Sequence, residues 1–260
     1  MNSESHFTVA RNDRAFTFVE LLVVLAVLAL LAVMILPAMA GVQHKSGRTQ
    51  CAANLRQVFI GSMLYANDYN TWLPPARIGA NPTNILNAQF YTRYLWIGPA
   101  LTPVPASYTA STALGGQFQN QGYLHGGNYG NDAKVFFCPA QYGTALGENS
   151  YSPLLRSDPS GAVRSSYYFN PRVINPAIGN NLRRYQKTSQ LPSHKLFTVD
   201  YLDVSSLFAH QREGGWNVLF TDGTVKFSQN TNAYALIKAT AGNLSMTQAE
   251  QAYDYLELEH

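Results

Sequence analysis

Four residues of this 260-residue chain have side chains that could act together in hydrolysis. They are His194, Asp200, His210 and Asp222, the residue types with which an aspartate orients a histidine that activates a nucleophile. No Gly-x-Ser-x-Gly elbow, His-Glu-x-x-His motif, phosphate-binding loop or dinucleotide fingerprint accompanies them. Asp222 is more simply explained as a turn residue, and Asp200 as the end of a strand. The sequence therefore favours a protein that is not an enzyme.

His210 and two aspartates allow further interpretations. His210 lies just before the Gly214-Gly215 pair, so it could be exposed in a functional loop; hydrogen bonding within that loop is the alternative. Asp200 and Asp203 could bind calcium together with loop carbonyls, but no calcium-binding motif surrounds them. We therefore expect neither a cofactor nor a metal.

Composition narrows the class of protein. Charged residues make up 13% of the chain, about half of the roughly 25% found in an average soluble domain. The 19 glycines, 13 prolines and 16 tyrosines indicate a loop-rich fold that exposes uncharged polar groups. A net charge of +3 without a block of Lys or Arg does not indicate nucleic-acid binding. Two cysteines exclude a multi-cysteine zinc site and a disulfide-rich mini-protein.

The most apolar segment is residues 21–40, in which every residue is apolar. At about 1.5 Å per residue it reaches about 30 Å, the hydrocarbon thickness of a bilayer. Arg11 and Arg14 precede it, and no basic residue follows before Lys45, which orients the N-terminus to the cytoplasm. A plain signal anchor is one alternative. A cleaved secretory signal ending at Ala38-Met39-Ala40 is another, although the apolar run exceeds the usual 7–15 residues.

Glu20 is the unusual residue of this segment, because it places a carboxylate at the cytoplasmic edge of the apolar run. An ionised side chain costs on the order of 2.5–3.5 kcal/mol at the centre of a membrane helix and less near its edge. An ionised carboxylate in a membrane helix is therefore expected to pair with a group of opposite charge. A second copy of the chain could provide one, whereas a simple tether gains nothing from this residue.

The segment Arg14–Glu20 followed by an apolar helix resembles the processing site of type IV pilins and type II secretion pseudopilins. The resemblance implies that a prepilin peptidase cuts before Phe16 and methylates the new amine. It also implies that Glu20 pairs with the N-terminal amine of a neighbouring subunit and that Pro37 kinks the helix. Ala15 stands where the family usually has glycine.

Downstream residues predict an α+β fold: a long N-terminal helix, a loop-rich antiparallel β-sheet head and a short C-terminal helix. The predicted parts are a cytoplasmic leader (1–15), a transmembrane assembly helix (16–41), a helix packing on the head (42–70) and the globular head (71–260). The head-packing helix should end near Tyr69, before two prolines. Its apolar stripe should comprise Cys51, Leu55, Val58, Phe59, Ser62, Ala66 and Tyr69.

Three local structures are predicted in the head. Lys134–Phe137, Ser165–Phe169 and Leu196–Asp200 should be strands. The Asp222-Gly223 pair predicts a two-residue hairpin turn, which places Phe220 opposite Val225 and Val218 opposite Phe227. The last helix should begin at Thr247, with Glu250 completing a capping box.

The head also resembles a large pseudopilin-like group from Planctomycetes and Verrucomicrobia, whose head domain has no assigned activity. Thr224 stands where that group often has a histidine. The residues that carry this resemblance are Cys51 to Gln57, Tyr65, Asp68, Cys138-Pro139, His210, Gly214-Gly215, Asn217 to Phe220 and Asp222-Gly223.

Cys51 and Cys138 are expected to form a disulfide. Both follow the apolar segment, on the side of the membrane where the compartment is oxidising. As the only two cysteines they have one possible pairing. Two buried free thiols are the alternative.

The sequence thus predicts a structural subunit of a pilus-like or secretion-pseudopilus filament. Its expected partners are other copies or related pilins, a prepilin peptidase, an inner-membrane assembly platform and the membrane, but no nucleic acid. We expect a single-pass inner-membrane protein with a periplasmic head that becomes extracytoplasmic on assembly. The alternative is a membrane-anchored or secreted envelope protein whose head binds or hydrolyses a ligand.

Overall fold

A computed structural model describes residues 17–74, 92–97, 117–118, 120–129, 132–141, 162–175, 180–202, 208–240 and 244–258. The side chains of residues 35–44, 97, 117, 162, 175 and 180–182 lie outside this description. The chain divides into two compact units, 1–43 and 44–260. The predicted leader, 1–15, lies outside the described residues, and so do most of the residues between 75 and 131.

Helix α1 comprises Phe18–Asp68 and is the longest described element. It ends where Asn70 and Thr71 adopt positive φ, and the Thr71 N–H donates to the Ala66 carbonyl at 2.8 Å. Asparagine tolerates this left-handed conformation, which cannot continue a right-handed helix. Among the described residues, no helix combines the length and the apolar character that crossing a bilayer requires. The predicted transmembrane segment, 16–41, includes Phe16 and the side chains of 35–41, which lie outside the description.

The head-packing half of α1 buries the stripe that its periodicity predicts, with two adjustments. Phe59 is only partly buried, and Tyr69 is about half exposed. Tyr65 takes the buried position instead and stacks on Tyr69, with ring centroids 4.2 Å apart. The fully or nearly fully buried residues of this half are Cys51, Asn54, Leu55, Val58, Ser62, Tyr65 and Ala66.

The centre of the head is an antiparallel sheet of four strands within the described residues, in the order β4-β7-β8-β9. One face packs against α1 through residues such as Leu55, Phe197 and Leu219. The opposite face packs against the two C-terminal helices, with Trp216 and Val218 among its core residues. The strands are β4 (Tyr167–Phe169), β7 (Leu196–Asp200), β8 (Trp216–Phe220) and β9 (Val225–Ser228).

Smaller elements complete the described head. They are β1 (Tyr94–Ile97), β2 (Gln117–Phe118), α2 (Gly122–Gly126), β3 (Ala162–Arg164), β5 (Val173–Asn175), β6 (Asn180–Arg183), α3 (Thr231–Ala239) and α4 (Met246–Glu257). Strands β2-β1-β3 and β5-β6 form two further antiparallel sheets. Mixed helix and antiparallel sheet agree with the predicted α+β class.

The predicted hairpin is present, but the predicted pairing of its two strands is wrong by one residue. The structure pairs Leu219 with Val225 and Asn217 with Phe227. Only Gly223 of the turn pair has positive φ, at +83°, so the loop has three residues and Gly223 occupies its left-handed position. The shift moves Val225 and Phe227 of the second strand to the face of Leu219 and Asn217, which is the face that packs against helix α1.

Two other local predictions need correction. Residues Ala133–Phe136 form a 3-10 helix rather than a strand, begun by Asp132, whose side chain accepts from the Lys134 N–H. The last helix is capped by Ser245 and Gln248, two residues before the predicted Thr247. Both Ser and Thr cap helices well, and the Ser245–Gln248 pair provides the reciprocal bonds.

Candidate functional site

Glu20 closes a capping box at the start of α1. Its Oε2 accepts from the Thr17 N–H and from the Thr17 hydroxyl, both at 2.8 Å. In return the Glu20 N–H donates to the Thr17 hydroxyl oxygen at 3.3 Å. A threonine followed three residues later by a glutamate is the sequence signature of a capping box. The role of Thr17 could therefore have been predicted from the sequence. Ala15 and Phe16, the predicted processing residues, lie outside the described residues.

The helix that follows Glu20 is apolar on every side. Consecutive residues of a helix point about 100° apart, so exposure of an unbroken run such as 21–25 exposes all faces. The backbone of Pro37 lies within α1, and its side chain is outside the description. The exposed large apolar side chains are Phe18, Val19, Leu21, Leu22, Val23, Val24, Leu25, Val27, Leu28, Leu30, Leu31, Val33 and Met34.

Cys51 and Cys138 form the predicted disulfide, with Cα atoms 5.0 Å apart across a sequence separation of 87. Cys51 belongs to the buried face of α1, and Cys138 lies between two 3-10 turns. Both are completely buried. Asn54, one helical turn after Cys51, donates to the Phe137 carbonyl at 3.0 Å and holds the same two segments together.

His210 is buried beside this disulfide, which excludes the alternative of an exposed loop histidine. Its Nε2 lies 3.7 Å from Cys138 Sγ, 3.0 Å from Asn217 Nδ2 and 3.5 Å from Asp200 Oδ2. Burial, followed by the charge of Arg48, lowers the pKa of His210 to about 4. The imidazole is therefore neutral at physiological pH.

Asp200 is the most deeply buried carboxylate near His210. Its Oδ2 accepts from the backbone N–H of Asn217 at 2.7 Å and from the Asn217 amide at 3.0 Å. Burial raises the pKa of Asp200 to about 7, although these two hydrogen bonds oppose the rise. Its Oδ1 has no hydrogen-bond partner within the described part of the chain. Asp203, the second predicted calcium ligand, lies outside that part.

His194 and Asp222 form a second pair at the hairpin. His194 Nδ1 lies 2.8 Å from Asp222 Oδ2, and the imidazole stacks on Phe220 with centroids 4.1 Å apart. The other carboxylate oxygen of Asp222 accepts from the Thr224 N–H and hydroxyl. Burial raises the pKa of Asp222, but the hydrogen bonds from Thr224 and His194 outweigh it and bring the pKa to about 2.

The four candidate triad residues thus pair two by two, His194 with Asp222 and His210 with Asp200. Within the described part of the chain, the polar groups close to the His210 ring are a disulfide sulfur, an amide and two carboxylates, none of which is a hydroxyl or thiol that the imidazole could deprotonate. Asp222 is a turn residue whose carboxylate organises the hairpin, as its position in the sequence predicts.

Comparison with known proteins identifies the N-terminal segment. A family model described as the prokaryotic N-terminal methylation motif matches residues 10–36. No curated protein and no solved structure matches the chain. The motif indicates a pilin- or pseudopilin-type protein that is processed as a prepilin. It fits an extracytoplasmic protein anchored by an N-terminal helix, and pilin-like proteins of this kind are usually structural rather than enzymatic.

Proposed function

We propose that this protein is a structural subunit of a type IV pilus-like or type II secretion pseudopilus filament. The observation that carries the proposal is Glu20, a carboxylate at the start of a helix whose apolar side chains are exposed on every side. A helix that is apolar all round requires a bilayer or other helices to cover it. The matched methylation motif supports the same assignment.

Processing before Phe16 supplies the partner that Glu20 needs. Cleavage after Ala15 creates a positively charged amine on Phe16. Glu20 uses Oε2 to cap its own helix, whereas Oε1 has no hydrogen-bond partner among the described residues. The amine of Phe16 in a neighbouring subunit would bind this free oxygen, and each subunit would neutralise a charge of the next at the membrane boundary.

The proposal includes a place in the cell and a set of partners. Residues 16–41 anchor the chain in the inner membrane, and the head lies in the periplasm, where the Cys51–Cys138 disulfide is stable. A prepilin peptidase removes the leader, and an assembly platform inserts the subunit beside other copies or related pilins. Membership of the planctomycete and verrucomicrobial pseudopilin-like group belongs to this proposal, supported by the head residues that carry the resemblance.

The capping box makes a discriminating experiment possible. Glu20→Gln keeps an oxygen that can accept from Thr17 but removes the charge. Thr17→Ala keeps the charge and the backbone N–H of residue 17 but removes the hydroxyl that caps the helix. Each variant is expressed in cells that lack the unaltered chain, and filaments are sheared and quantified. We expect Glu20→Gln to insert and be processed normally but to be absent from filaments. Thr17→Ala should assemble.

The opposite pattern, assembly of Glu20→Gln and failure of Thr17→Ala, would show that Glu20 serves only to begin the helix. The mass of the mature N-terminal peptide completes the experiment. Methylated Phe16 supports the filament subunit. An N-terminus at Gly41 would support the secreted envelope protein instead, and one at Met1 or Asn2 an unprocessed anchor.

A further inference from the structure

We propose that the reduced form of the head binds one zinc ion through Cys51, Cys138 and His210, with Asp200 as the fourth ligand. The site would exist only after the disulfide is opened. It does not depend on filament assembly, because all four residues belong to the compact unit 44–260.

Three of the four proposed ligand residues, Cys51, Cys138 and His210, already have their ligand atoms close together, and Asp200 lies outside this group. The two Sγ atoms and a ring nitrogen of His210 all lie within 4.8 Å of one another. A tetrahedral zinc site has bonds of about 2.0–2.3 Å, which places its ligand atoms roughly 3.3–3.8 Å apart. The Cys138 Sγ to His210 Nε2 distance of 3.7 Å and the His210 Nε2 to Asp200 Oδ2 distance of 3.5 Å fall in this range.

The hydrogen bond between Asn217 and His210 indicates which tautomer of the imidazole is present. Asn217 Nδ2 can only donate, and it lies 3.0 Å from His210 Nε2, so Nε2 accepts and the ring proton belongs on Nδ1. The Nε2 lone pair that would bind the metal accepts this hydrogen bond, so metal binding replaces the contact with Asn217. On the other side of the ring, Nδ1 lies 3.9 Å from Glu213 Oε2.

Asp200 provides an independent indication. It is completely buried, and its Oδ1 has no hydrogen-bond partner within the described residues. A buried carboxylate oxygen without a partner is costly to maintain. Together with two thiolates and one imidazole, this carboxylate completes a set of four ligands that zinc accepts.

Opening the site is a balanced two-electron step. A phosphine reduces the disulfide with one water, which gives the phosphine oxide and two thiols. One Zn²⁺ then displaces the two thiol protons and binds both sulfurs. The sulfur atoms must separate from about 2.0 Å in the disulfide to roughly 3.8 Å around the metal. Zinc would thereby replace the disulfide as the link between helix α1 and the segment around Cys138.

Cobalt is a suitable probe, because tetrahedral Co²⁺–thiolate sites absorb visible light and Zn²⁺ displaces cobalt without colour. Detergent-solubilised full-length chain, free of any histidine tag, is prepared in oxidised form and in phosphine-reduced form from which the phosphine has been removed. We expect one equivalent of Co²⁺ to give tetrahedral bands and a thiolate charge-transfer band in the reduced form only. One equivalent of Zn²⁺ should abolish them.

Variants assign the ligands. His210→Ala should weaken Co²⁺ binding to the reduced chain at least tenfold, while His194→Ala, which removes a histidine at the hairpin, should leave it unchanged. The absence of a thiolate–cobalt band in the reduced unaltered chain would overturn the proposal, whether the reduced head is folded or not. Equal loss of affinity in the two histidine variants would also overturn it.

Discussion

The buried guanidinium of Arg172 contacts the carboxylate of Glu257, with Nη2 2.6 Å from Oε1. The same guanidinium binds Glu250 at 2.7 Å and Asp254 at 2.8 Å, so three successive turns of helix α4 are attached to one side chain. Burial opposes the charge of Arg172, but attraction to Glu257 and Glu250 outweighs it and raises the pKa of Arg172. This contact joins the C-terminal helix to the segment before β5.

Replacing Arg172 should therefore destabilise the head strongly. Arg172→Met leaves Glu250 and Glu257 as nearly buried carboxylates without their main partner. Removing one member of a buried ion pair costs about 3–5 kcal/mol of the free energy of unfolding. Chemical denaturation of the detergent-solubilised chain measures the change. The control is Arg184→Met, because Arg184 is half exposed and lies 3.7 Å from Glu250; its effect should stay below about 1 kcal/mol. Similar effects of the two variants would contradict the assignment.

Gly223 should tolerate alanine less well than Gly214. Both have positive φ, +83° and +63°, which costs a residue with a Cβ about 1–2 kcal/mol. A Cβ on Gly223 would also lie 2.8 Å from the Phe59 ring, whereas one on Gly214 meets nothing within 4 Å. Thermal unfolding of Gly223→Ala and Gly214→Ala separates the two contributions. A melting temperature for Gly223→Ala equal to that of the unaltered chain would mean that the hairpin is wrongly described.

The Cys51–Cys138 bond should be present in protein taken from the envelope. Alkylation of the unfolded, unreduced chain should modify neither cysteine, and alkylation after reduction should modify both, as mass spectrometry can show. The bond closes a loop across a sequence separation of 87, which in the chain-entropy model contributes about 4–5 kcal/mol. Reduction in the presence of a chelator should therefore lower the melting temperature. Modification of both cysteines in the unreduced chain would show that Cys51 and Cys138 are two free thiols and would contradict the disulfide.

The hairpin carboxylate should make stability depend on pH in the acid range. Because the folded pKa of Asp222, about 2, lies below its ordinary value of 3.8, its contribution is present above pH 4 and is lost as pH falls towards 2. Asp222→Asn should lower the melting temperature at pH 7 and lower it progressively less between pH 4 and pH 2. A difference that stays constant down to pH 2 would exclude this origin.

Much of helix α1 could be predicted from the sequence, because helical periodicity and helix-breaking signals are local. Most of the stripe from Cys51 to Ala66 followed from spacing, although Tyr65 was not among its predicted residues, and the end of the helix was placed within one residue of Asp68. The Asp222-Gly223 turn was also local. Its register was not, since one-residue alternatives differ only in which strand face the sheet and helices bury.

The buried polar cluster could not be predicted, because its members are far apart in the chain. Asp200 was assigned to a strand end, His210 to a loop and Asn217 to a strand of the hairpin. Tertiary packing brings all three beneath helix α1 and next to the disulfide. The same holds for Arg172, whose three carboxylate partners lie 78 to 85 residues later.

By itself the sequence determined the character of the N-terminal segment, because a processing motif, a carboxylate and an apolar run are contiguous and their chemistry depends on order along the chain. It also determined that any disulfide within the chain must join Cys51 to Cys138. Only the tertiary structure decided what surrounds that bond. Burial removes water from Asp200 and His210 and leaves their ionisation to a few distant neighbours, whose positions follow from how the whole head packs.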